Sequence, residues 1–188
     1  FAPKHHGAMR HAIGPRKEMG VRTIFNLLGP LTNPAGAPNQ VLGLFSGELV
    51  EPLAKVLQQL GSRHVLVVHA EDGLDEISIA APTRVAELKG GVVSGYTIRP
   101  EDFGLASQPL TPLLVDSAEA SLALIQTLFR GEKGAARDIV LLNAGAAIYV
   151  AGLADSLAAG VKRAAGVIDE GLAAERLEAL VRCSQSFS

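Results

Sequence analysis

The chain has 188 residues, of which 48% are hydrophobic, and a formal net charge of -2 at pH 7. This length supports one domain with a sizeable core and is short for two full domains. The small net charge gives no general attraction to nucleic acid or to an anionic membrane. The single cysteine, Cys183, excludes an intrachain disulfide and a cysteine-based metal cluster.

Hydropathy along the chain indicates a protein that does not enter a membrane. No apolar run reaches the roughly 18 to 20 residues needed to cross a bilayer, and the first residues lack the pattern of a secretory signal. We therefore expect a cytoplasmic protein in a reducing compartment. The chain begins at Phe1 without an initiator methionine, so we expect it to be the carboxy-terminal part of a longer protein.

The first 34 residues predict short helices that end in a turn. Residues 7–19 are basic and predict a short helix, interrupted near Gly14 and Pro15. Residues 21–28 are mostly apolar and predict a second short helix or a strand, because a brief apolar run does not reveal its period. In the sequence GPLTNP at 29–34, Gly29 allows a positive φ and Pro30 fixes its own φ, which predicts a rigid turn that a helix cannot continue through.

Residues 40–69 carry the pattern of a strand, a helix and a second strand. Residues 40–46 predict a buried strand, and residues 48–60 place apolar side chains at helical spacing on one face. Gly61 follows at the position where a left-handed cap is favourable. The run HVLVVH at 64–69 is typical of a strand buried on both faces of a mostly parallel sheet.

The remaining residues complete an α/β domain. Residues 83–88 and 92–98 flank Gly90 and Gly91 and predict either a hairpin or two separate short strands, and residues 99–115 predict an irregular connection. Helices are predicted at 117–130, 135–151, 156–171 and 173–183, and the second of these is apolar nearly all round. We expect 39–188 to form the α/β domain and 1–38 to form a hinge and a helical excursion that belongs to another body.

An acidic segment, EDGLDE at 71–76, follows the second predicted strand. Ligands of parallel α/β sheets bind beyond the carboxyl ends of the strands, and carboxylate oxygens suit Mg²⁺, which binds through one or two carboxylates and substrate phosphates. A solvated acidic turn around Asp72 and Gly73 is the other interpretation. On spacing alone, that turn is the simpler of the two.

Three blocks, in order along the chain, resemble the anthranilate phosphoribosyltransferase family. The first covers residues 1–34, with paired histidines before AM, then RKE, then RTIFNLLGPLTNP; the others are DGLDEIS at 72–78 and LLNAGAA at 141–147. The resemblance covers nearly the whole chain. It implies a nucleoside phosphorylase/phosphoribosyltransferase-like large domain with a mostly parallel sheet flanked by helices. It also implies a small helical domain, with the active site in the cleft between the two.

The resemblance implies transfer of the 5-phosphoribosyl group from phosphoribosyl pyrophosphate to anthranilate, which releases pyrophosphate, in tryptophan biosynthesis. Asp75 and Glu76 match the family's aspartate–glutamate pair that manages Mg²⁺ on phosphoribosyl pyrophosphate. With the family blocks in register, the metal role becomes the better interpretation of the acidic segment. The family commonly pairs as a homodimer through its helical domain, so we expect the full-length protein to do the same.

Four further residues match positions around the acceptor in this family. Arg16 matches the arginine that helps to hold the anthranilate carboxylate, and a guanidinium suits a planar carboxylate because it binds in bidentate fashion. His6 matches the histidine beside the aromatic substrate, and Gly29 and Pro30 match the turn that lines the same pocket. Taken alone, these residues read as an exposed arginine, a surface histidine and a simple helix stop.

The chain departs from the family pattern at two positions and lacks one part of the site. Gly7 stands where the family usually has proline, and Pro15 stands where it commonly has an aliphatic residue, so backbone freedom near the acceptor pocket differs. The family's glycine-rich pyrophosphate loop and its KHGN block lie upstream of the first residue here. We therefore expect the chain alone to be inactive or nearly so. No nucleophile–base arrangement predicts a catalytic residue.

Two other functions remain open from the sequence. A pyrimidine nucleoside phosphorylase would share the fold, but we would not expect it to carry the block at 16–34. A non-catalytic paralogue that binds nucleic acid would need a basic groove; the net charge disfavours it, although the basic residues within 4–17 keep it possible. Phosphorolysis of thymidine tests the first alternative, and salt-dependent binding of single-stranded DNA tests the second.

Overall fold

The computed structural model describes residues 25–33 and 35–187, together with Gly14 and Glu18. The strands in this part are β1 (Asn39–Gly43), β2 (His64–Ala70), β3 (Thr83–Lys89) and β4 (Val92–Ile98). The helices are α1 (Phe25–Leu31), α2 (Val50–Gln59), α3 (Ala118–Phe129), α4 (Ala135–Val150), α5 (Leu157–Asp169) and α6 (Leu172–Gln185). None of the helices in these residues is long and apolar enough to cross a membrane.

The four strands form one sheet in the order β1-β2-β3-β4. The α/β class and the flanking helices are confirmed, but this part of the sheet is mixed rather than mostly parallel: β1 pairs with β2 in parallel, and the other two pairings are antiparallel. The hairpin between β3 and β4 explains part of this difference. Gly90 and Gly91 have φ values of 59° and 76°, as a two-residue type I′ turn requires, so the chain returns antiparallel at once.

Strand β2 lies at the centre of the fold and is buried on both faces, as its sequence predicts. On one face, Leu66 and Val68 pack in a core with side chains of α4 and α5. On the other face, Val65 and Val67 pack in a second core with α2. The sheet is therefore covered by helices on both faces. The two ends of β2 lie at opposite ends of the sheet.

The helices predicted between residues 48 and 183 form close to their expected bounds, whereas the helix predicted at 7–19 lies outside the described residues apart from Gly14 and Glu18. Capping residues mark several of the observed ends. The side chains of Ser117 and Ser156 accept hydrogen bonds from the backbone amides of Ala120 and Ala159, each at 3.1 Å, at the starts of α3 and α5. Gly61 has φ of 86° just after α2, which confirms the predicted left-handed cap.

The predicted turn at Gly29 and Pro30 is wrong in its position. Both residues lie inside α1, which continues to Leu31, and Gly29 does not have a positive φ. Pro30 is the penultimate residue of this helix, so the break comes just after the proline rather than at Gly29. The helix ends at Leu31. The hydroxyl and the amide of the next residue, Thr32, both donate to the Leu28 carbonyl, at 2.8 and 2.9 Å.

A hydrogen-bonded cluster closes the edge of the sheet where β2 begins. The Glu87 carboxylate accepts hydrogen bonds from the hydroxyls of Tyr149, at 2.7 Å, and Tyr96, at 2.9 Å, and lies 2.9 Å from Nε2 of His64. Lys89 Nζ donates to the Tyr149 hydroxyl at 3.0 Å. Burial acts to raise the pKa of the Glu87 carboxyl, but the hydrogen bonds it accepts outweigh that effect, so its pKa lies below the ordinary 4.5.

Replacing Glu87 by glutamine should make the stability of the protein less sensitive to acid. Because the pKa of Glu87 is lowered by folding, its ionised form contributes stability above pH 4.5, and this contribution is lost as the pH falls below that value. Urea unfolding from about pH 7 to about pH 3 measures the effect. The variant should have a lower midpoint at neutral pH and a smaller fall in acid, and parallel curves for the two proteins would contradict this expectation.

Candidate metal and substrate site

The acidic segment lies in the loop that joins β2 to β3. The parallel strands β1 and β2 end at this edge of the sheet, which is where ligands of such sheets bind. Ile77 and Ile79 of the loop are buried in the core beneath α4, whereas Asp75 and Glu76, immediately before them, are exposed. The loop therefore has a buried anchor and presents two adjacent carboxylates to solvent.

The first two carboxylates of the segment have partners within the fold. Asp72 accepts a hydrogen bond from the Leu74 amide at 3.1 Å and another from the Ser78 hydroxyl at 2.5 Å. Glu71 lies 3.8 Å from the guanidinium of Arg84, in an exposed and weak ion pair. Asp72 therefore shapes the turn, as the structural interpretation of this segment expects.

Asp75 and Glu76 have a different environment. Neither side chain forms a hydrogen bond or an ion pair with another residue in 25–33 or 35–187. In the same part of the chain, no three histidine, cysteine or acidic side chains lie close enough to hold a metal ion by themselves. Two free carboxylates fit Mg²⁺, because this ion usually takes most of its ligands from water and substrate phosphates. The donor set therefore suits a metal that arrives with a phosphorylated substrate.

The backbone that follows Glu76 is held by helix α4. Asn143 Oδ1 accepts a hydrogen bond from the Ile77 amide at 2.9 Å, and Asn143 Nδ2 donates to the Ile77 carbonyl, also at 2.9 Å. Nδ2 donates as well to the Ile139 carbonyl of its own helix, at 3.0 Å, which fixes the side chain. Asn143 lies in the block LLNAGAA that carries the family resemblance, but its role beside the loop was not predicted from the sequence.

On its other side, the loop packs directly on the end of β1. A Cβ atom added to Gly43 would overlap the carbonyl oxygen of Asp75, so the backbone of the loop occupies the space that a side chain would fill. The Ser78 amide donates to Thr83 Oγ1 at 3.1 Å, where β3 begins. The loop is thus fixed by contacts with β1, β3 and α4.

Of the other predicted site residues, only Gly29 and Pro30 are described, and they lie in α1, away from this loop. Pro30 lines a cavity of about 120 Å³ with residues of the α2–β2 connection and with Gln40 at the start of β1. Asp75 contacts Gly43 at the other end of that strand. At the usual rise per residue, Gly43 lies about 10 Å from Gln40. His6 and Arg16 lie outside the described residues. The roles of all six residues stay predictions.

The comparison with known families agrees with this architecture. The model of the glycosyl transferase family, α/β domain, matches residues 1–174. The chain belongs to this family. The match covers every described strand and the loop that carries Asp75 and Glu76.

Similar proteins confirm the resemblance to anthranilate phosphoribosyltransferases. The chain is 64% identical to the enzyme of that name from Thioalkalivibrio sulfidiphilus, over 99% of this chain and 55% of the relative. It also matches a crystal structure of the Thermus thermophilus enzyme with a TM-score of 0.86 and 46% identity, over 94% of this chain and 52% of that one.

A third match is the anthranilate phosphoribosyltransferase of Saccharomyces cerevisiae, solved in complex with phosphoribosyl pyrophosphate and Mg. It is 27% identical with a TM-score of 0.81, and the match covers 92% of this chain and 50% of that one. The chain therefore spans about half the length of the relatives that it matches.

Proposed function

We propose that the complete protein containing this chain is an anthranilate phosphoribosyltransferase of tryptophan biosynthesis. In this reaction the bond between the ribose C1 and the pyrophosphate oxygen breaks, and a bond from C1 to the anthranilate nitrogen forms. The amino group loses one proton, and pyrophosphate leaves. The similarity to enzymes of this name, one of which is 64% identical over 99% of the chain, carries the proposal.

Asp75 and Glu76 would hold Mg²⁺ on phosphoribosyl pyrophosphate. Three observations support this role. Both side chains are exposed, both lack partners among the described residues, and both lie where β1 and β2 end. When bound, Mg²⁺ offsets the negative charge that develops on the leaving pyrophosphate. The two carboxylates orient the bound diphosphate and place the ribose C1 for attack, so their contribution is one of position.

The acceptor would be oriented by residues that the resemblance identifies. Arg16 would bind the anthranilate carboxylate, and His6 would lie beside its ring. Gly29 and Pro30 would line the same pocket as part of the hinge, with 1–38 belonging to the helical domain and 39–188 to the α/β domain. The packing of Leu27 and Leu31 against the α2 side of the core anchors this segment to the α/β domain.

The resemblance also supports an oligomeric state and a cellular location for the complete protein. We infer a homodimer that forms through the helical domain and works in the cytoplasm. The single cysteine, exposed Cys183, fits a reducing compartment.

The loss of anthranilate fluorescence on adding phosphoribosyl pyrophosphate and Mg²⁺ tests the function. The assay compares the complete protein with the 188-residue chain, and a parallel arm offers thymidine and phosphate. We expect consumption of anthranilate by the complete protein and little or none by the chain, which has no glycine-rich phosphate motif. If neither protein consumes anthranilate, the transferase function is wrong, and phosphorolysis of thymidine would then identify a nucleoside phosphorylase.

A further inference from the structure

The backbone on each side of the carboxylate pair is held by a residue from a different element. Asn143 of α4 pairs with both the amide and the carbonyl of Ile77, directly after Glu76. Gly43 of β1 packs against the carbonyl of Asp75. The exposed pair therefore lies between two fixed points of the backbone.

Asn143 is itself well placed to hold this position. Its amide nitrogen is tied to the Ile139 carbonyl one turn earlier in α4, so the side chain cannot rotate without losing that hydrogen bond as well. Ile77 is 2% exposed and packs in the core beneath the same helix. A displacement of the Ile77 peptide would leave two backbone groups and the Asn143 amide without partners in a half-buried place, which is unfavourable.

We propose that Asn143 is a positioning residue for the proposed transferase: through Ile77 it sets the backbone that carries Asp75 and Glu76, and Gly43 supports it from the other side. This inference rests on the proposed function. In this proposal Asn143 acts through the Ile77 backbone and is not a ligand of the substrate or the metal. Its contribution is that the two carboxylates are already in place when phosphoribosyl pyrophosphate arrives with Mg²⁺, so no binding energy is needed to order them.

The test replaces Asn143 by leucine in the complete protein, which keeps a similar volume but removes all three hydrogen bonds. Tyr149→Phe is the matched control, because it removes hydrogen bonds of the same helix at the opposite edge of the sheet. Calorimetry measures the affinity for phosphoribosyl pyrophosphate with Mg²⁺, and steady-state kinetics measure KM for anthranilate. Hydrogen exchange of the Ile77 amide in the metal-free protein reports on the loop itself.

For Asn143→Leu we expect the affinity for phosphoribosyl pyrophosphate with Mg²⁺ to fall by about 10- to 100-fold, with KM for anthranilate changed by less than about twofold. The Ile77 amide should exchange faster in this variant only. Gly43→Ala should lower the same affinity, because its Cβ displaces the Asp75 carbonyl. Tyr149→Phe should lower the thermal midpoint while affinity and Ile77 exchange stay unchanged.

The inference is overturned if Asn143→Leu and Tyr149→Phe lower the thermal midpoint alike while substrate affinity and Ile77 exchange stay at native values. A native protein that neither binds phosphoribosyl pyrophosphate nor consumes anthranilate would overturn the proposed function instead. The positioning role for the transferase would then fall with it. Faster Ile77 exchange in Asn143→Leu would show only that Asn143 holds the loop backbone, and unchanged exchange would refute that as well.

Discussion

Replacing Asp75 by asparagine should lower the transferase rate of the complete protein by about 100-fold, a loss of about 2.7 kcal/mol of transition-state stabilisation. Asparagine keeps the shape of the side chain but removes the charge that would hold Mg²⁺ against the leaving pyrophosphate. The Mg²⁺ concentration needed for half the maximal rate should rise as well. Initial rates over a series of Mg²⁺ and phosphoribosyl pyrophosphate concentrations measure both effects.

The structure makes this result interpretable, because Asp75 is exposed and its side chain has no partner among the described residues. The free energy of unfolding should therefore change by less than about 0.5 kcal/mol. Glu71→Gln is the matched control: it removes an exposed carboxylate from the same loop, where only a weak pair with Arg84 is lost. Equal rates for native protein, Asp75→Asn and Glu71→Gln would exclude the metal role of Asp75.

The acidic segment shows how far the sequence could predict the site. Its place after β2 follows from the buried strand pattern, and that prediction is confirmed. Spacing does not predict which carboxylates shape the turn and which stay free. Asp72 accepts its hydrogen bonds from Ser78 and Leu74 only once the loop has folded. Spacing alone favoured the acidic turn, and the family blocks favoured the metal role. The structure has a shaped acidic turn and two free carboxylates side by side.

Asn143 was missed for a different reason. It pairs with Ile77 across 66 positions of the chain, and no local pattern reveals such a contact. One signal was present: an amide in the middle of a helix that is apolar nearly all round. A polar side chain in such a helix needs a hydrogen-bonding partner, so its position could have been recognised as one that binds another part of the fold.

The fold was predictable where local patterns decide it. Helical spacing, serine caps and the buried run of β2 identify their elements without tertiary information. The direction of the later strands depends on the connections between them, and the Gly90–Gly91 turn was the one feature that favoured a hairpin. Pro30 misled the prediction at α1, because the helix includes this proline as its penultimate residue and ends only after it.

Replacing Gly160 by alanine should destabilise the protein by about 2 to 3 kcal/mol, because α4 and α5 cross with their backbones in direct contact. A Cβ atom at Gly160 would overlap the Gly145 carbonyl oxygen, and one at Gly145 would lie 2.6 Å from the Val161 amide nitrogen. Backbone atoms cannot rotate away as a side chain can, so the helices must separate. That separation loosens the core that Val161 and the rest of α5 form with α4.

Gly166 provides a control of opposite sign within the same helix. A Cβ atom there would meet only the end of the Glu170 side chain, at 3.9 Å, so Gly166→Ala should stabilise the protein by up to about 1 kcal/mol through helix propensity. Thermal unfolding measures both effects. The midpoint of Gly160→Ala should be lower than that of the native protein by about 4 to 12 °C, and the midpoint of Gly166→Ala should be higher by a few degrees. A gain of stability in both variants would contradict the close contact between the α4 and α5 backbones. Helix α4 would then be less firmly held, and so would the Asn143 side chain that binds Ile77.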